Sequence, residues 1–434
     1  MGGRLFNFIE AANAARKMKR ILTLLILFSV TQPAYGATDI PSTFTFQGSG
    51  YGHGVGMSQI GAKGQALEGK SAQDILTYYF PGAALTPVDN TQIIRVNVAH
   101  QVASAALTIS SPANDCSFAL ANDALPSQQV APNSKITFAI TGKLVGLISA
   151  ASNQQSPQFV PVTNWLVTWT GTDCVVLLKV GAQTMKLKYG SLNIRAVPIT
   201  GHGYKIEVVN SMRLSDEYLY GISEVPSSWP SAALESQVIV SRTYALSRIK
   251  NVRKDCDCNV YASKYDQVYI GYSKEAEPKY GALWRAAVQA TIVDTSTALA
   301  ITYNGAPISV YFFSSSAGQT QRSIDVWGTD IPYLTSVADP WSLDPKLNPK
   351  YANWVRVITQ KQMAEVFGLP DVVRYSIGSR SPTDSVKSIT GYSSVGKKKT
   401  ISVSDFKVPL KIPSSWFDLP AKISLPDSAT VVGN

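Results

Sequence analysis

Apolar and polar residues alternate along this chain in two different rhythms. Ser42 to Gln47 (STFTFQ) trades threonine for phenylalanine at every second position, the period of a strand with one buried face. Short runs of the same kind recur at Ile93–Val98, Ala106–Ile109, Leu166–Trp169, Cys174–Val180 and Lys205–Val209, bounded by Ser, Asn, Pro and Gly clusters. The spacing changes after Ser227-Ser228-Trp229-Pro230, where Leu234, Val238, Ala245 and Ile249 recur at helical intervals behind a proline that suits a first turn. A shorter helix is predicted at 72–80, opened by the capping-box pattern Ser71-x-x-Asp74 and stopped by Pro81-Gly82. Two more are expected near 280–290 and 360–367. Leu299–Tyr303, the turn Asn304-Gly305 and Ile308–Phe313 read as a hairpin, and the tail reads as strands ending at Trp416-Phe417. The longest loop is expected at Ser152–Pro161. Strands thus outnumber helices, and no repeat has a fixed period, so the predicted class is α+β: an antiparallel, β-rich core with a few helices and an inserted β-rich region.

The first 37 residues obey a separate pattern. Lys17-Met18-Lys19-Arg20 precedes ten mostly apolar residues, Ile21–Val30, and then the small-residue stretch Ala34-Tyr35-Gly36-Ala37. Charged, apolar and cleavable regions in that order predict a secretory leader, with Met18 as its natural start, cleavage after Gly36 or Ala37, and an exported product. The apolar run is too short to span a bilayer, and no second run of about 18 residues follows, so no membrane span is expected after leader removal. Export agrees with four cysteines, for which proximity favours Cys116–Cys174 and Cys256–Cys258. The expected division is 1–37 leader, 38–87 an N-terminal part of the core, 88–200 the β-rich region, and 201–434 the main core.

Of 434 residues, 45% are hydrophobic and 16% charged, which excludes a disordered chain or a long coiled coil. The net charge is +10, but the leader holds Arg4, Arg16, Lys17, Lys19 and Arg20 against Glu10, so it supplies four of those charges. The remaining excess suits an anionic polymer such as cell wall; with no basic run interleaved with aromatics, no nucleic-acid partner is expected. No Gly-x-Ser-x-Gly elbow, phosphate-binding loop, dinucleotide fingerprint or His-Glu-x-x-His occurs. The three histidines, His53, His100 and His202, do not stand at ligand spacing to the Cys256–Cys258 pair, so neither a metal nor a cofactor is expected.

A carboxylate is the better chemical candidate. Glu224 sits in Gly221-Ile222-Ser223-Glu224-Val225-Pro226, and no lysine or arginine occurs from 214 to 241. Desolvation without a cationic partner raises a carboxyl pKa, as a general acid requires. An exposed turn carboxylate facing the dipole of the next helix fits the composition equally well.

Several segments together carry a resemblance. Gly50-Tyr51-Gly52-His53-Gly54-Val55-Gly56-Met57-Ser58-Gln59, with Gly61-Ala62, resembles the signature of the stage II sporulation protein D (SpoIID/LytB) family. Tyr218–Gly221 through Glu224-Val225-Pro226 is similar to the segment around that family's catalytic glutamate, and Ala233-Leu234-x-x-Gln237 with Arg242-Thr243-Tyr244-Ala245 to the helix that follows. Asp266-Gln267-Val268-Tyr269-x-Gly271, Phe312–Gly318, and Asp325-Val326-Trp327-Gly328 with Pro332-Tyr333-Leu334 extend the likeness over most of 43–434, most weakly between 99 and 200. The resemblance implies a peptidoglycan lytic transglycosylase that cuts glycan strands to 1,6-anhydro ends with Glu224 as sole acid and base. It implies substrate contacts from His53, Ser58, Gln237, Arg242, Gln267, Tyr269, Ser314, Ser315 and Ser316. Because part of the family is described as amidase enhancers, a non-catalytic wall binder that promotes a cell-wall amidase is the alternative.

The chain departs from the family pattern in order. The Gly-His-Gly segment stands near the C-terminus of sporulation-type members, whereas here it opens the mature chain, as a circular permutation would place it. Residues 43–48 are then expected beside the C-terminal strands, with His53 brought towards Glu224. Glu235 replaces a lysine found in some relatives, and the histidines of zinc-binding members are missing, so no zinc is carried over.

Overall fold

The computed structural model describes residues 39–122, 125–130, 132, 134–150, 161–420 and 423–433. The leader, and all but the last residue of the loop expected at Ser152–Pro161, lie outside the described residues. The model is β-rich with few helices, an α+β arrangement of mainly antiparallel strands.

The β-rich region builds two sheets. One has seven strands in the order Val260–Tyr261, Ile93–Val102, Gly203–Arg213, Ser191–Ile199, Asn164–Thr170, Ser117–Asn122 and Leu125–Val130. The other has five: Gln183–Leu187, Val175–Val180, Ser104–Ser110, Lys135–Thr141 and Leu144–Ala150. Alternation puts Leu107, Ile109, Phe138, Val176 and Leu178 from one sheet into the same core as Phe118, Leu192, Ile194, Ile206 and Val208 from the other. Cys116–Cys174 joins the two sheets across 58 residues, which restricts the unfolded chain by ~4 kcal/mol in the chain-entropy account. Gly203–Arg213 pairs with Ser191–Ile199 along its whole partner, so the sheet runs without interruption across position 200.

Helices cover one side of this core. Ser231–Arg248 is the central one; Gln59–Leu67, Ala72–Tyr79 and Gly281–Ala290 pack on it, as does the strand Thr297–Tyr303. The capping box at Ser71 and Asp74 forms as the pattern predicts. Central-helix burial is wider than the apolar stripe suggests, because Ser236, Gln237, Ser241, Arg242 and Thr243 are buried together with Leu234 and Val238. A helix enclosed on all sides needs partners for its polar groups. Two are strand backbone atoms, since Thr243 Oγ1 accepts from the Ile301 N–H at 2.9 Å and Arg242 donates to the Leu299 carbonyl at 2.9 Å.

Two expected strands differ. The Asn304-Gly305 turn forms with both residues at positive φ, but the return arm is only Ala306-Pro307, followed by one more bond from the Ile308 N–H to the Ile301 carbonyl at 3.1 Å. The chain then leaves, and Phe312-Phe313 pairs in parallel with Met57-Ser58. In the tail the run of strands breaks at Ser402, whose side chain caps the short helix Val403–Lys407; Phe417 contributes only an isolated bridge to Gly48, and a last short strand, Thr430–Val431, pairs in parallel with Trp354-Val355.

A second core gathers around this tail: Trp354, Ile358, Met363, Phe367, Ile389, Phe406 and Phe417, joined by Phe44 and Phe46. Thr43–Gly48 supplies those two phenylalanines by pairing antiparallel with Trp354–Thr359. Among the described residues, no helix is long and apolar enough to cross a membrane.

Candidate active site

Two loops face each other across the helical side of the molecule. Glycines 50, 52, 54 and 56 all have positive φ and bend the signature segment tightly against neighbouring backbone. A methyl group on Gly56 would stand 2.1 Å from the Tyr311 carbonyl oxygen. The segment ends at Ser58, which caps the helix Gln59–Leu67 by accepting from the Gly61 N–H at 3.1 Å. That helix is missing from the predicted elements, since Gln-Ile-Gly-Ala-Lys-Gly has no apolar period and two glycines.

The opposing loop carries Glu224. It leaves a π-type turn, Leu214–Tyr218, and a 3-10 turn, Leu219–Gly221, and then bridges to Val268–Ile270: the Ser223 N–H donates to the Val268 carbonyl at 2.8 Å and the Ile270 N–H to Gly221 at 2.8 Å. Trp284 Nε1 donates to the Leu219 carbonyl at 2.9 Å, and buried Lys274 to the Val225 carbonyl at 2.8 Å, so both ends of the loop are pinned.

Between the loops opens a cleft with room for about 420 Å³, lined among others by His53, Gln59, Glu224, Tyr244, Asp266 and Tyr311. Glu224 is partly buried, and its Oε1 accepts the Val268 N–H at 2.6 Å. Burial pushes this carboxyl above its ordinary range; the Val268 hydrogen bond only partly opposes it. Asp266 is the other acid of the lining and the opposite case. Burial pushes it up, but Arg253 grips both oxygens, the Tyr261 N–H and Tyr244 hydroxyl donate to it, and the net effect is a carboxyl below the usual range. One acid is fully partnered and shifted towards its ionised form; the other has a single backbone donor and is shifted towards its protonated form.

His53 shares the cleft with Glu224. Its Nδ1 accepts the Val55 N–H at 3.1 Å, and burial, with Lys407 nearby, lowers its pKa to about 4, so the ring is neutral at ordinary pH. Ser314 also lines the cleft. The other residues named from the family likeness lie behind it. Gln237 accepts from Gln59 Nε2 at 3.1 Å, and the same amide reaches the Glu224 carbonyl at 3.4 Å, so Gln59 links Gln237 to the Glu224 loop. Gln267 is buried and accepts the Tyr218 hydroxyl at 3.0 Å. Tyr269 is buried too, stacked on Tyr218 with ring centroids 5.5 Å apart.

Ser58, Ser316, Ser342 and Tyr79 form a buried hydroxyl cluster around Asp339, while Ser315 bridges backbone to Tyr51. Arg242 is enclosed and donates to Leu299, Ser215 and Thr291. Tyr51, Gln59, Tyr244, Arg248, Lys264, Tyr265, Asp266 and Tyr311 are among the lining residues absent from the sequence-derived site; Tyr51, Gln59, Tyr244 and Asp266 stand inside the quoted motifs, which is the available signal. Among the described residues, no three His, Cys, Asp or Glu side chains converge as a metal-ligand set, and Cys256 and Cys258 are bonded to each other.

Comparison with known proteins covers part of this region. Residues 202–296, which include the Glu224 loop, the central helix and Asp266–Gly271, match the family model described as SpoIID, stage II sporulation protein, so the chain carries a SpoIID-type domain at these residues. Its relatives include stage II sporulation protein D of Bacillus subtilis, 28% identical over 40% of this chain and 52% of that protein. The same-named protein of Bacillus amyloliquefaciens is 28% identical over 31% of this chain and 40% of that one. An amidase enhancer of Bacillus subtilis is 37% identical over 18% of this chain and 13% of its own length. The chain therefore spans about half, or less, of the curated relatives it matches. No solved structure matches it.

Proposed function

We propose that the chain is an exported peptidoglycan lytic transglycosylase and that Glu224 is its single acid and base. The observation that carries this reading is the contrast between two carboxylates in one cleft: Asp266 is saturated with donors, whereas Glu224 has one backbone donor and no ion pair among the described residues. Hydrolases of the two-carboxylate type need a second free acid for water or for the sugar carbon. A transglycosylase does not. Protonated Glu224 gives its proton to the glycosidic oxygen as the bond from muramic acid C1 to that oxygen breaks. The C6 hydroxyl of the same muramic acid then bonds to C1, and the Glu224 carboxylate takes its proton. No water is consumed, the 1,6-anhydro ring closes, and Glu224 returns to its starting state.

The cleft fits the task in other ways. Tyr51, Tyr265 and Tyr311 give it aromatic surface for sugar faces, and neutral His53 places no counter-charge beside the acid. The Gly-His-Gly segment comes first and residues 43–48 pair beside 354–359, which supports the reading of a circularly permuted order. Two of the relatives are named for sporulation and one for enhancing an amidase, and all three names suit work at the cell wall.

Purified protein incubated with sacculi is expected to release anhydro-muropeptides detectable by mass spectrometry. Glu224→Gln should lower that release by about 10²-fold or more, the usual contribution of a general acid. The rate should also decline as pH rises past a point above the ordinary carboxylate range, because the proton must be present at the start. Sacculi that bind the wild-type protein yet gain no anhydro ends would replace this reading with that of a non-catalytic amidase enhancer.

A further inference from the structure

The tail carries a three-stranded antiparallel sheet, Arg374–Arg380, Val386–Tyr392 and Lys398–Ser402. Tyr375, Ile377, Ile389 and Ile401 turn one face of it into the second core. The other face is polar, and the register sorts it into rows. Arg374, Tyr392 and Lys398 stand opposite one another across the three strands, and Ser376, Thr390 and Thr400 form the next row. The Arg374 guanidinium lies 3.6 Å from the centre of the Tyr392 ring, Tyr392 shares a hydrogen bond with Ser376 at 3.3 Å, and the two threonine hydroxyls meet at 2.8 Å.

Charge on this sheet is one-sided. Residues 374–402 hold six lysines and arginines against one acid, Asp384. Two of the six are committed: Arg380 donates to the carbonyls of Asp384, Phe417 and Asp418, and Lys387 pairs with Asp325. Arg374, Lys397, Lys398 and Lys399 are exposed and make no ion pair among the described residues. Asp371 meets the hairpin tip but gives its two oxygens to the Ser394 N–H and hydroxyl. Like charges gathered on a sheet destabilise it, so folding does not call for this cluster. Guarding an edge strand against pairing with another chain calls for a charge on that strand. A run of three lysines that begins before the strand, at Lys397, exceeds that need.

We propose that this face docks a polymer of repeating phosphodiesters, with Arg374, Lys397, Lys398 and Lys399 on its phosphates. Charges at regular intervals along a chain offset the repulsion at several points at once. Guanidinium, ammonium and hydroxyl groups side by side are donors that suit phosphate oxygens. A bilayer surface fits less well, because Val395 is the one exposed large apolar side chain within 374–402 and offers little to insert. The assignment does not depend on Glu224: the polymer holds the chain in place and is not cut by it.

Calorimetry of the full chain with poly(glycerol phosphate) tests this, and the binding is expected to weaken as salt rises. Changing Lys397, Lys398 and Lys399 together to glutamine should weaken it on the order of a hundredfold, about fivefold for each cation, as for a basic residue at an anionic surface. The same three changed to arginine should keep it. Lys135, Lys143 and Lys179 are exposed on the five-stranded sheet and its turns. Changing those three to glutamine removes equal net charge and should leave binding within about twofold. Equal losses from both sets would reduce the effect to net charge and overturn the docking face. Binding untouched by the glutamine set at 397–399 also overturns it, and aggregation of that variant would then assign the lysines to edge protection. No binding of the polymer by the parent chain, or tighter binding to phosphatidylglycerol vesicles than to the polymer, refutes the proposal as well.

Discussion

Replacing Arg242 by methionine separates two roles that a sequence motif cannot distinguish. In the structure its guanidinium is buried and donates to the Leu299 carbonyl at 2.9 Å, the Ser215 carbonyl at 3.2 Å and Thr291 Oγ1 at 2.9 Å. Thr291 keeps its own bond to the Val288 carbonyl, so methionine strands chiefly two buried carbonyls at about 1–3 kcal/mol each. A credit opposes this loss: burial lowers the Arg242 pKa to about 9, so the folded state holds the charge at a cost that methionine avoids. The balance is a destabilisation of about 2–4 kcal/mol, large beside the 5–15 kcal/mol of an ordinary domain. Urea titration followed by tryptophan fluorescence measures it, and sacculus digestion per folded molecule, at a temperature where the variant is native, measures function. The expected result is a lower midpoint with activity within about twofold of wild type, since ΔΔG‡ below 0.4 kcal/mol is what an untouched cleft gives. A variant of unchanged stability that digests sacculi a hundred times more slowly would refute the structural role and return Arg242 to the substrate.

Two further outcomes follow from the signature loop. His53 has a folded pKa of about 4 against 6.5 for the free side chain, so between those values the unfolded chain binds a proton that the folded chain refuses. Stability contributed by neutral His53 is therefore full above pH 6.5 and lost as pH falls towards 4, by at most about 3 kcal/mol; His53→Gln should flatten that part of the stability-versus-pH curve measured by thermal melts, and an unchanged slope would contradict the burial argument. Gly54→Ala puts a methyl group 2.4 Å from the buried Trp416 ring at a φ of +85°. Strain and overpacking together predict a loss of about 3 kcal/mol by chemical denaturation, and a tolerated alanine would mean that the loop is not held as described.

The elements and the acid were legible from the sequence to different degrees, for reasons visible in single residues. The strand Thr43–Gly48 and the helix Ala72–Tyr79 announce themselves because each has one wet face and one dry face, so period and burial coincide. The central helix shows only part of its buried surface, because Arg242, Gln237 and Thr243 are polar in type yet enclosed. Glu224 stood out through what surrounds it, a stretch of chain without a cation, and the fold preserves that isolation by sending Lys274 to the neighbouring Val225 carbonyl instead of to the carboxyl. Asp266 gave no such sign: its partner Arg253 lies 13 residues away, and only the folded chain brings the two together. The family likeness implies sugar contacts from Gln237, Gln267 and Tyr269, and hydrogen-bonding and aromatic side chains suit that role. The structure gives each of them an internal partner. A polar residue can recur in a motif because a backbone or a neighbouring side chain needs it, and such a residue acts on chemistry only by holding the group that does it. On that argument Gln59 occupies the informative position: it lines the cleft and also ties Gln237 to the Glu224 carbonyl, so the central helix and the acid's loop are coupled through one amide.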